Sequence, residues 1–481
     1  METTAENSSA AMRVVGERIF TLADQRDFAA LSGDYNPVHV DEVAARRTVF
    51  GAPVVHGLHL LCWALESWVG QSRRSRLAMQ RISAKFFRGI LVGEAALACA
   101  MNDQEDCILR IRRQQSEMVW IRVKLGPAAE YAEALPAMNP SECRVMDPAE
   151  IAHAAGSVPL AYSAPDAARL LPQLSAALPP LQLAALLATT RLVGMECPGL
   201  HSMYSGLDLT FAEQAAGKPR MNYRVTLADR NGGVSLSVDG PGFQGELRAF
   251  LRPAPCRQAA ARDLVRLVAG DAFSTQRAVV IGGSRGLGEV TAKLLAMGGA
   301  EVTITYHRGK ADAEAVAAEI HAAGGKCRVA QFDCNHPAPI ALAQPLTHLY
   351  YFATPHITAD KTVPFSTERF AEYCRYYAAG FAQTLLAVAQ GAPALKVFYP
   401  STVFLDEAPA HLGEYCAAKA AGEELCRQLG KTFPAWAIFA PRLPRMLTDQ
   451  NNGFRPAKME PPETVILRHL EEMQAKSSRT I

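Results

Sequence analysis

The chain has 481 residues, which is too long for one ordinary hydrophobic core, so two or three domains are expected. It carries 49 Lys and Arg residues against 47 Asp and Glu residues. This balance gives no electrostatic reason to expect a nucleic-acid or membrane partner. Because 49% of the residues are hydrophobic and only 20% are charged, the composition is that of a folded globular chain.

The cysteines and the first residues bear on the cellular compartment. The 11 cysteines form no C-x-x-C pair and no cluster with the spacing of a zinc site, so no metal is expected. Their number is odd and they are scattered along a long chain, which favours reduced thiols and a cytoplasmic location. The first twenty residues have no apolar core behind a basic head, so no secretory signal is expected. No run of about 18 uncharged apolar residues occurs, so no membrane span is predicted.

Two segments of the first half share one pattern. Each begins with an apolar helical stretch, at Val54 and at Leu181, and continues with four stretches in which apolar and polar residues alternate. The alternation has the period of two that half-buried β-strands require. A helix that leads into an antiparallel sheet, twice in succession, predicts two copies of one α+β fold side by side.

The pattern changes in the second half. A short apolar strand at 277–283 is followed by a helix at 286–299 and a second strand at 300–307. Strand, helix and strand in this order form a βαβ unit, which predicts an α/β fold with a Rossmann-type parallel sheet. The predicted organisation is a first copy at 1–135, a second copy at 136–255, a linker at 256–275 and an α/β domain at 276–481.

The stretch GDYNPVHVD, residues 33–41, places a carboxylate, a carboxamide and an imidazole within six positions. Asp-x-Asn-Pro is also good turn chemistry, so the stretch alone is weak evidence. Downstream, Gly57 falls near the start of the first long helix, where free backbone N–H groups stabilise an oxyanion. An acid–base pair followed by an anion site favours a catalytic loop over a structural turn.

Residues 28–45, FAALSGDYNPVHVDEVAA, resemble the signature of the MaoC-like (R)-specific enoyl-thioester hydratases. Those proteins have the hot-dog fold, so the resemblance implies a double hot-dog in the first half. It also implies that Asp34 and His39 form a catalytic dyad that handles a water molecule. By the same resemblance, Asn36 orients the dyad and the backbone N–H of Gly57 polarises the thioester carbonyl.

The second copy has no D-x-N-P-x-H motif. Its stretch GMECPGLHS contains Cys197 and His201, four residues apart. A Cys and a His beside Pro and Gly are more often part of a packed loop than a nucleophile with its base. We therefore expect the second copy to be non-catalytic and to complete the sheet and the acyl tunnel.

The stretch VVIGGSRGLGE places glycines between a strand and a helix, where the backbone can approach a pyrophosphate. Through Gly282, Gly286 and Gly288 it resembles the T-G-x-x-x-G-x-G fingerprint of the short-chain dehydrogenase/reductase family. Ile281 stands where that family has Thr, a departure that weakens one hydrogen bond of the turn.

The end of the second strand, TYHRGK, has no carboxylate that would bind the ribose of NAD. Arg308 lies there and Arg285 lies inside the glycine loop, and guanidinium groups suit a 2′-phosphate. We therefore predict NADP(H) as the cofactor. The family resemblance implies that Asp333 holds the adenine and that the stretch FATP, which includes Ala353, supplies small residues beside the cofactor.

Tyr415 and Lys419 are four apart at the start of a helical stretch and so share one face. A nearby ammonium lowers the pKa of a phenol, and this is the Y-x-x-x-K arrangement of the same reductase family. The family's serine corresponds to Ser401, although Thr402 fits the spacing about as well. Tyr377 stands where the family often has an Asn of a proton relay, so slow or altered turnover is expected.

The resemblance implies two sets of site residues. The catalytic set is Asp34, Asn36, His39, Gly57, Ser401, Tyr415 and Lys419. The cofactor-binding set is Gly282, Ser284, Arg285, Gly286, Leu287, Gly288, Arg308, Asp333, Ala353, Tyr415 and Lys419.

The two predicted sites fit one reaction sequence. A ketoreductase makes a 3-hydroxyacyl thioester from a 3-oxoacyl thioester, and an (R)-specific hydratase interconverts that alcohol with the enoyl thioester. Placing both on one chain raises the effective concentration of the shared intermediate. We predict such a bifunctional enzyme, as a monomer or a homodimer, with the acyl group on CoA or on a separate acyl carrier protein. The alternative is a hydratase/dehydratase whose reductase domain acts on another carbonyl compound or is a cofactor-binding scaffold.

Overall fold

The computed structural model describes residues 12–72, 77–103, 106–126, 130–340, 342, 345–357, 365–389, 392, 394–452 and 459–477. The chain divides into two compact units, residues 1–254 and 255–481. The first eleven residues, which carry much of the prediction about a secretory signal, lie outside the described residues. Where the chain is described, no helix combines the length and the apolar character that crossing a membrane requires.

The first unit is built on ten strands. They are β1 (Arg13–Ile19), β2 (Met79–Phe86), β3 (Ala95–Asp103), β4 (Asp106–Arg113), β5 (Ser116–Leu125), β6 (Ala155–Pro159), β7 (Ser202–Phe211), β8 (Arg220–Ala228), β9 (Gly233–Gly240) and β10 (Phe243–Leu251). They form one antiparallel sheet in the order β1-β3-β4-β5-β2-β7-β10-β9-β8-β6. The two copies meet where β2 pairs with β7, with Ala84 opposite Leu207, so both copies share one sheet.

The helices of the first unit are α1 (Leu22–Ser32), α2 (Pro37–Val40), α3 (Glu42–Ala45), α4 (Gly57–Ser72), α5 (Pro148–Ala152), α6 (Ala164–Leu170), α7 (Pro172–Ala177) and α8 (Pro180–Arg191). A π-helical turn at Leu192–Glu196 continues α8. Every side chain of α8 from Leu181 onward is buried, and α4 is buried from Leu58 to Leu65. Helices buried on all sides belong to a core, so α4 and α8 are the central helices of the two copies. The prediction of a double hot-dog fold is confirmed.

The conformation of the loop that follows α1 depends on its first residue, Gly33. Thr21 and Asp24 form a capping box at the start of α1, and the helix ends at Gly33 with a φ of +76°. This left-handed conformation favours glycine, and a Cβ there would lie 2.5 Å from the Met138 sulfur. The turn delivers the chain directly to Asp34.

The strands of the second unit are β11 (Arg277–Ile281), β12 (Glu301–Tyr306), β13 (Lys326–Gln331), β14 (His348–Tyr351), β15 (Leu395–Phe398), β16 (Ser401–Thr402), β17 (Trp436–Phe439) and β18 (Arg442–Leu443). Six of them form a parallel sheet in the order β13-β12-β11-β14-β15-β17. This is the strand order of a dinucleotide-binding doubly wound fold, whose ligands lie at the carboxyl ends of the strands where the order reverses. The predicted Rossmann-type sheet is confirmed.

The helices of the second unit are α9 (Ala261–Leu264), α10 (Gly286–Met297), α11 (Lys310–Ala322), α12 (Thr367–Cys374), α13 (Phe381–Val388), α14 (Phe404–Glu407), α15 (Gly413–Thr432) and α16 (Pro462–Ser477). A π-helical turn at Arg375–Gly380 joins α12 to α13. Part of the predicted linker at 256–275 belongs to this unit, because Ala261, Leu264 and Phe273 are buried in its core. The remaining domain boundaries stay predictions.

Candidate active sites

Asp34 lies in the loop between α1 and α2 and is only 1% exposed. Its two carboxylate oxygens have separate donors. The backbone N–H of Asn36 donates to Oδ1 at 3.2 Å, and the hydroxyl of Thr190 on α8 donates to Oδ2 at 2.6 Å. Because a buried carboxylate is costly without such donors, these two hydrogen bonds fix its position.

The Asn36 side chain attaches the same loop to the second copy. Its Oδ1 accepts the N–H of Val38 at 3.2 Å and so caps α2. Its Nδ2 donates to the carbonyl oxygens of Gly194 at 2.9 Å and Leu200 at 3.2 Å. The orienting role that was predicted for Asn36 therefore depends on backbone groups of the second copy.

His39 is placed by α2, and its Nδ1 lies 2.7 Å from the carbonyl oxygen of Val54. Since a carbonyl only accepts, this contact puts the ring hydrogen on Nδ1 and leaves Nε2 as the basic nitrogen. Burial lowers the pKa of His39, and the nearby Asp34 opposes this. Burial likewise raises the pKa of Asp34, and His39 opposes that rise. The pair therefore places an imidazole beside a carboxyl group that two hydrogen bonds hold in position.

His56 contacts both members of this pair, a role that the sequence motif did not indicate. Its Nε2 lies 3.0 Å from the backbone oxygen of Asp34, its Nδ1 lies 3.0 Å from Gln25 Oε1, and its ring stacks on His39 at 3.8 Å. The potential ligand atoms of Asp34, His39 and His56 lie within 4.8 Å of one another. Nε2 of His56 faces a backbone carbonyl, which only accepts, so this nitrogen carries the ring hydrogen and offers no lone pair to a metal ion. The absence of a metal stays a prediction.

Gly57 is the first residue of α4, so its N–H has no partner within the helix. A Cβ at this position would lie 3.1 Å from the Phe86 ring, a tight contact that would require the ring to shift slightly. Asp34, Asn36, His39 and Gly57 all line one cavity of about 90 Å³. The structure thus brings together all four residues predicted for the first site.

The second copy has no equivalent site among its described residues. Its central helix α8 begins at Pro180, which has no N–H to offer to an oxyanion. Burial raises the pKa of Cys197 to about 11, so its thiol is not a thiolate at neutral pH. These facts favour the packed-loop interpretation of Cys197 and His201.

The glycine loop of the second unit has the shape of a phosphate cradle. Gly282 has a φ of +77° and Gly286 a φ of +59°, and a Cβ on Gly288 would lie 2.3 Å from the Gly282 oxygen. The N–H of Gly282 donates to the Thr305 hydroxyl at 3.1 Å. Thr305 on β12 therefore stabilises the glycine turn. The strand that leads into this turn, β11, ends in Ile281, whose side chain has no hydroxyl. The residues present fit a dinucleotide.

The other predicted cofactor residues follow the carboxyl ends of neighbouring strands. Ser284, Arg285 and Leu287 follow β11, Arg308 follows β12, Asp333 follows β13 and Ala353 follows β14. Parallel strands present these ends at one edge of the sheet, which is the ligand edge of this fold. Arg285 lies 3.7 Å from Asp449, and Asp333 accepts the N–H of Asn335 and pairs with His336.

Tyr415 and Lys419 lie on α15, beside the two hydroxyl groups at β16. Burial raises the pKa of Tyr415 to about 12, and the Thr402 hydroxyl opposes this rise. Ser401 instead donates its hydroxyl to Glu423, which is ion-paired with Arg442. The two hydroxyl groups therefore differ in their surroundings, because Ser401 is bonded to Glu423 while Thr402 interacts with the Tyr415 phenol, and the choice between them stays a prediction.

Lys419 is enclosed by aromatic rings. Its Nζ donates to the Pro400 carbonyl at 2.7 Å and lies 4.0 Å from the centre of the Tyr377 ring and 5.0 Å from that of Tyr399. The hydroxyl of Tyr377 contacts Thr354 Oγ1 at 2.5 Å. This enclosure lowers the pKa of Lys419 to about 7, because burial disfavours its ammonium form.

Comparison with known families finds two matching regions. Residues 7–109 match the family described as MaoC like domain, and residues 276–343 match the family described as short chain dehydrogenase. The first match contains the Asp34 loop, and the second contains the glycine loop but ends before Tyr415. The chain carries a MaoC-like domain in its N-terminal part and a short-chain dehydrogenase/reductase domain later in the chain.

Three curated proteins are similar to parts of the chain. The (R)-specific enoyl-CoA hydratase of Aeromonas caviae is 44% identical over 52 residues, which are 11% of this chain and 38% of that protein. Protein MaoC of Klebsiella aerogenes is 41% identical over 61 residues, 13% of this chain and 18% of that one. An uncharacterized oxidoreductase of Methylorubrum extorquens is 50% identical over 58 residues, 12% of this chain and 23% of that one. The chain therefore matches well under half the length of each.

Solved structures give partial matches. A short chain dehydrogenase from Burkholderia cenocepacia in complex with NADP is 23% identical, with a TM-score of 0.37, over 42% of this chain and 91% of that chain. A 3-oxoacyl (acyl-carrier-protein) reductase from Agrobacterium tumefaciens is 19% identical, with a TM-score of 0.36, over 42% of this chain and 88% of that chain.

The low pKa of Lys419 predicts a measurable cost to stability. Between pH 7 and the ordinary pKa of a lysine, the unfolded chain holds a proton that the folded chain does not, so the free energy of unfolding rises with pH. Lys419→Met removes this dependence. We expect the variant to be more stable than wild type by ~2–4 kcal/mol at pH 7, with a difference that shrinks toward pH 10.

Urea unfolding of the full chain at both pH values measures this difference. Lys431→Met, at an exposed position on the same helix, is the matched control and should give the same difference at both. A Lys419→Met difference that does not change with pH contradicts the account.

Proposed function

We propose that the chain is a bifunctional enzyme of acyl-thioester β-carbon chemistry. The first unit hydrates an enoyl thioester to the (R)-3-hydroxyacyl thioester, or catalyses the reverse dehydration. The second unit reduces a 3-oxoacyl thioester with NADPH. The observation that carries the proposal is the convergence of Asp34, His39 and the Gly57 amide on one cavity within a MaoC-like domain.

The first site supplies each group that hydration needs. The carboxylate of Asp34 and Nε2 of His39 both accept hydrogen bonds, so together they hold one water and take a proton as its oxygen attacks the β-carbon. The dyad then delivers a proton to the α-carbon. The Gly57 N–H donates to the thioester oxygen while negative charge develops there. Dehydration uses the same groups in reverse.

The lining of the cavity supports an acyl substrate. Leu60 and Val119 supply apolar surface, and the second copy adds Met203 and Tyr204. The similarity to an enoyl-CoA hydratase supports CoA as the carrier of the acyl group, and a separate acyl carrier protein is the other carrier we consider.

The second site supplies what a carbonyl reduction needs besides the cofactor. The bound NADPH supplies the hydride. Tyr415 protonates the carbonyl oxygen, and the hydroxyl of Thr402 positions that oxygen. Arg285 and Arg308 lie where guanidinium groups bind a 2′-phosphate, which supports NADP(H) over NAD(H).

One observation favours the second candidate function, a hydratase with a cofactor-binding scaffold. Lys419 is enclosed by Tyr377 and Tyr399 and donates to a backbone carbonyl. A lysine that stays in this enclosure with the cofactor bound would not assist Tyr415. The two candidates differ in whether NADPH is oxidised.

The first prediction concerns hydration of crotonyl-CoA. Asp34→Asn and His39→Ala should each lower kcat/KM by about 10² or more, because acid–base catalysis contributes at least that much. Loss of absorbance of the conjugated thioester measures the rate. Asp41→Asn, an exposed aspartate in the same loop, is the matched control and should retain activity. Equal rates for Asp34→Asn and wild type would rule out the proposed dyad.

The second prediction separates the two hydroxyl groups at β16. With acetoacetyl-CoA and NADPH, Thr402→Val and Tyr415→Phe should lower the rate of NADPH oxidation by about 10² or more. Ser401→Ala should lower it by less than tenfold, because the Ser401 hydroxyl is bonded to Glu423. Nicotinamide absorbance measures the rate. A larger loss in Ser401→Ala than in Thr402→Val would reverse the assignment, and no oxidation by wild type would favour the scaffold.

A further inference from the structure

The central helix of the second copy contacts the dyad of the first. Thr190 on α8 is 3% exposed and donates its hydroxyl to Asp34 Oδ2 at 2.6 Å. A threonine inside a helix ordinarily donates to a carbonyl of the preceding turn, as its neighbour Thr189 does to Leu186 at 2.6 Å. Thr190 instead directs its hydroxyl out of the helix, to a residue 156 positions away.

The π-helical turn after α8 makes this approach possible. A Cβ on Gly194 would lie 2.4 Å from Asp34 Oδ1 and 2.7 Å from Oδ2, so only glycine lets the turn come this close to the carboxylate. The carbonyl of the same glycine accepts Nδ2 of Asn36. Extra-residue turns of this kind are often found at functional sites. Thr190 and Gly194 together enclose the side of Asp34 that faces the second copy.

We propose that Thr190 is a positioning residue of the hydratase site, which holds the Asp34 carboxylate in its ionised form and in the orientation that the water requires. This inference rests on the function proposed above. It gives the second copy, which has no dyad, a direct part in the chemistry of the first copy.

The charged and titratable groups around Asp34 do not take the place of the Thr190 hydroxyl as a donor to its carboxylate. His39 faces Asp34 from α2, and His56 faces it from the start of α4. Burial holds the pKa of His56 well below its ordinary value, so that ring is neutral. Cys143 precedes α5, and burial raises the pKa of its thiol to about 12.

Arg191, the next residue on α8, acts on Asp34 only through space. Its guanidinium donates to the Pro159 carbonyl and to the Met138 sulfur. In the part of the chain that the structure describes, the direct donors to the carboxylate are the Asn36 N–H and the Thr190 hydroxyl. Burial raises the pKa of Asp34, and the Thr190 hydrogen bond opposes this rise. Removal of the hydroxyl therefore raises that pKa further.

The test compares Thr190→Val, which keeps the shape and loses the hydroxyl, with Thr190→Ser, which keeps the hydroxyl. For crotonyl-CoA hydration, Thr190→Val should move the acidic limb of the kcat/KM profile up by about one pH unit. It should also lower kcat at pH 7 by about tenfold with KM changed by less than threefold. Thr190→Ser should restore both values.

A second readout needs no turnover. The Thr190 hydrogen bond is strong only when Asp34 is ionised, so it stabilises the fold above the pKa of Asp34 and less as the pH falls through it. The difference in free energy of unfolding between wild type and Thr190→Val should therefore be larger at pH 8 than at pH 5. Thr189→Val should show no such change.

The two readouts distinguish the possible failures. An unmoved acidic limb, or a Thr190→Ser variant as impaired as Thr190→Val, overturns the proposal and leaves Thr190 a purely structural residue. If wild type does not hydrate crotonyl-CoA, the proposed function is what fails. The difference in free energy of unfolding between wild type and Thr190→Val then tests the inference by itself. If this difference changes with pH, it supports the coupling of Thr190 to Asp34, and if it does not change, it refutes that coupling.

Discussion

The antiparallel pairing of β2 with β7 is the interaction on which the first unit depends. It joins two copies of one fold into a single ten-stranded sheet, and so sets two central helices side by side on one surface. As a result, α8 and its π-helical turn pack against the loop at 33–41. The carboxylate of Asp34 thereby becomes buried, and the same packing supplies the donor that a buried carboxylate needs.

This packing gives the two copies different tasks. The first copy provides the dyad and the Gly57 amide at the start of α4. The second has Pro180 at the start of its central helix, and it contributes Thr190, Gly194 and part of the cavity wall. In the proposed hydratase site, the reacting groups therefore come from one copy and their hydrogen-bonding support comes from both.

Burial also affects the protonation of two residues in the second unit. Enclosure of Lys419 by Tyr377 and Tyr399 disfavours its ammonium, while burial of Tyr415 disfavours its phenolate. In each unit, then, burial opposes the charged form of a titratable residue, and neighbouring polar or charged groups oppose that effect.

Features encoded by neighbouring residues could be predicted from the sequence. Eight strands of the first unit, four in each copy, appear in the sequence as local patterns. So do both central helices, the Asp34 loop and the glycine loop, because strand alternation and motif spacing are short-range properties. The contacts of Thr190 with Asp34 and of Thr305 with Gly282 could not be predicted, since each joins residues on different elements. A polar residue inside the apolar helix ALLATTRLVG was the one available signal for Thr190. Ser401 and Thr402 could not be separated either, because both interact with α15 and only the packing of that helix shows that Ser401 meets Glu423 and Thr402 meets Tyr415.

A product analysis tests whether both sites act on one acyl thioester. The purified chain is incubated with acetoacetyl-CoA and NADPH, and the thioesters are followed over time by mass spectrometry. The account predicts that 3-hydroxybutyryl-CoA appears first and crotonyl-CoA second, and that neither forms without NADPH. Formation of 3-hydroxybutyryl-CoA alone, with added crotonyl-CoA left unhydrated, would contradict it.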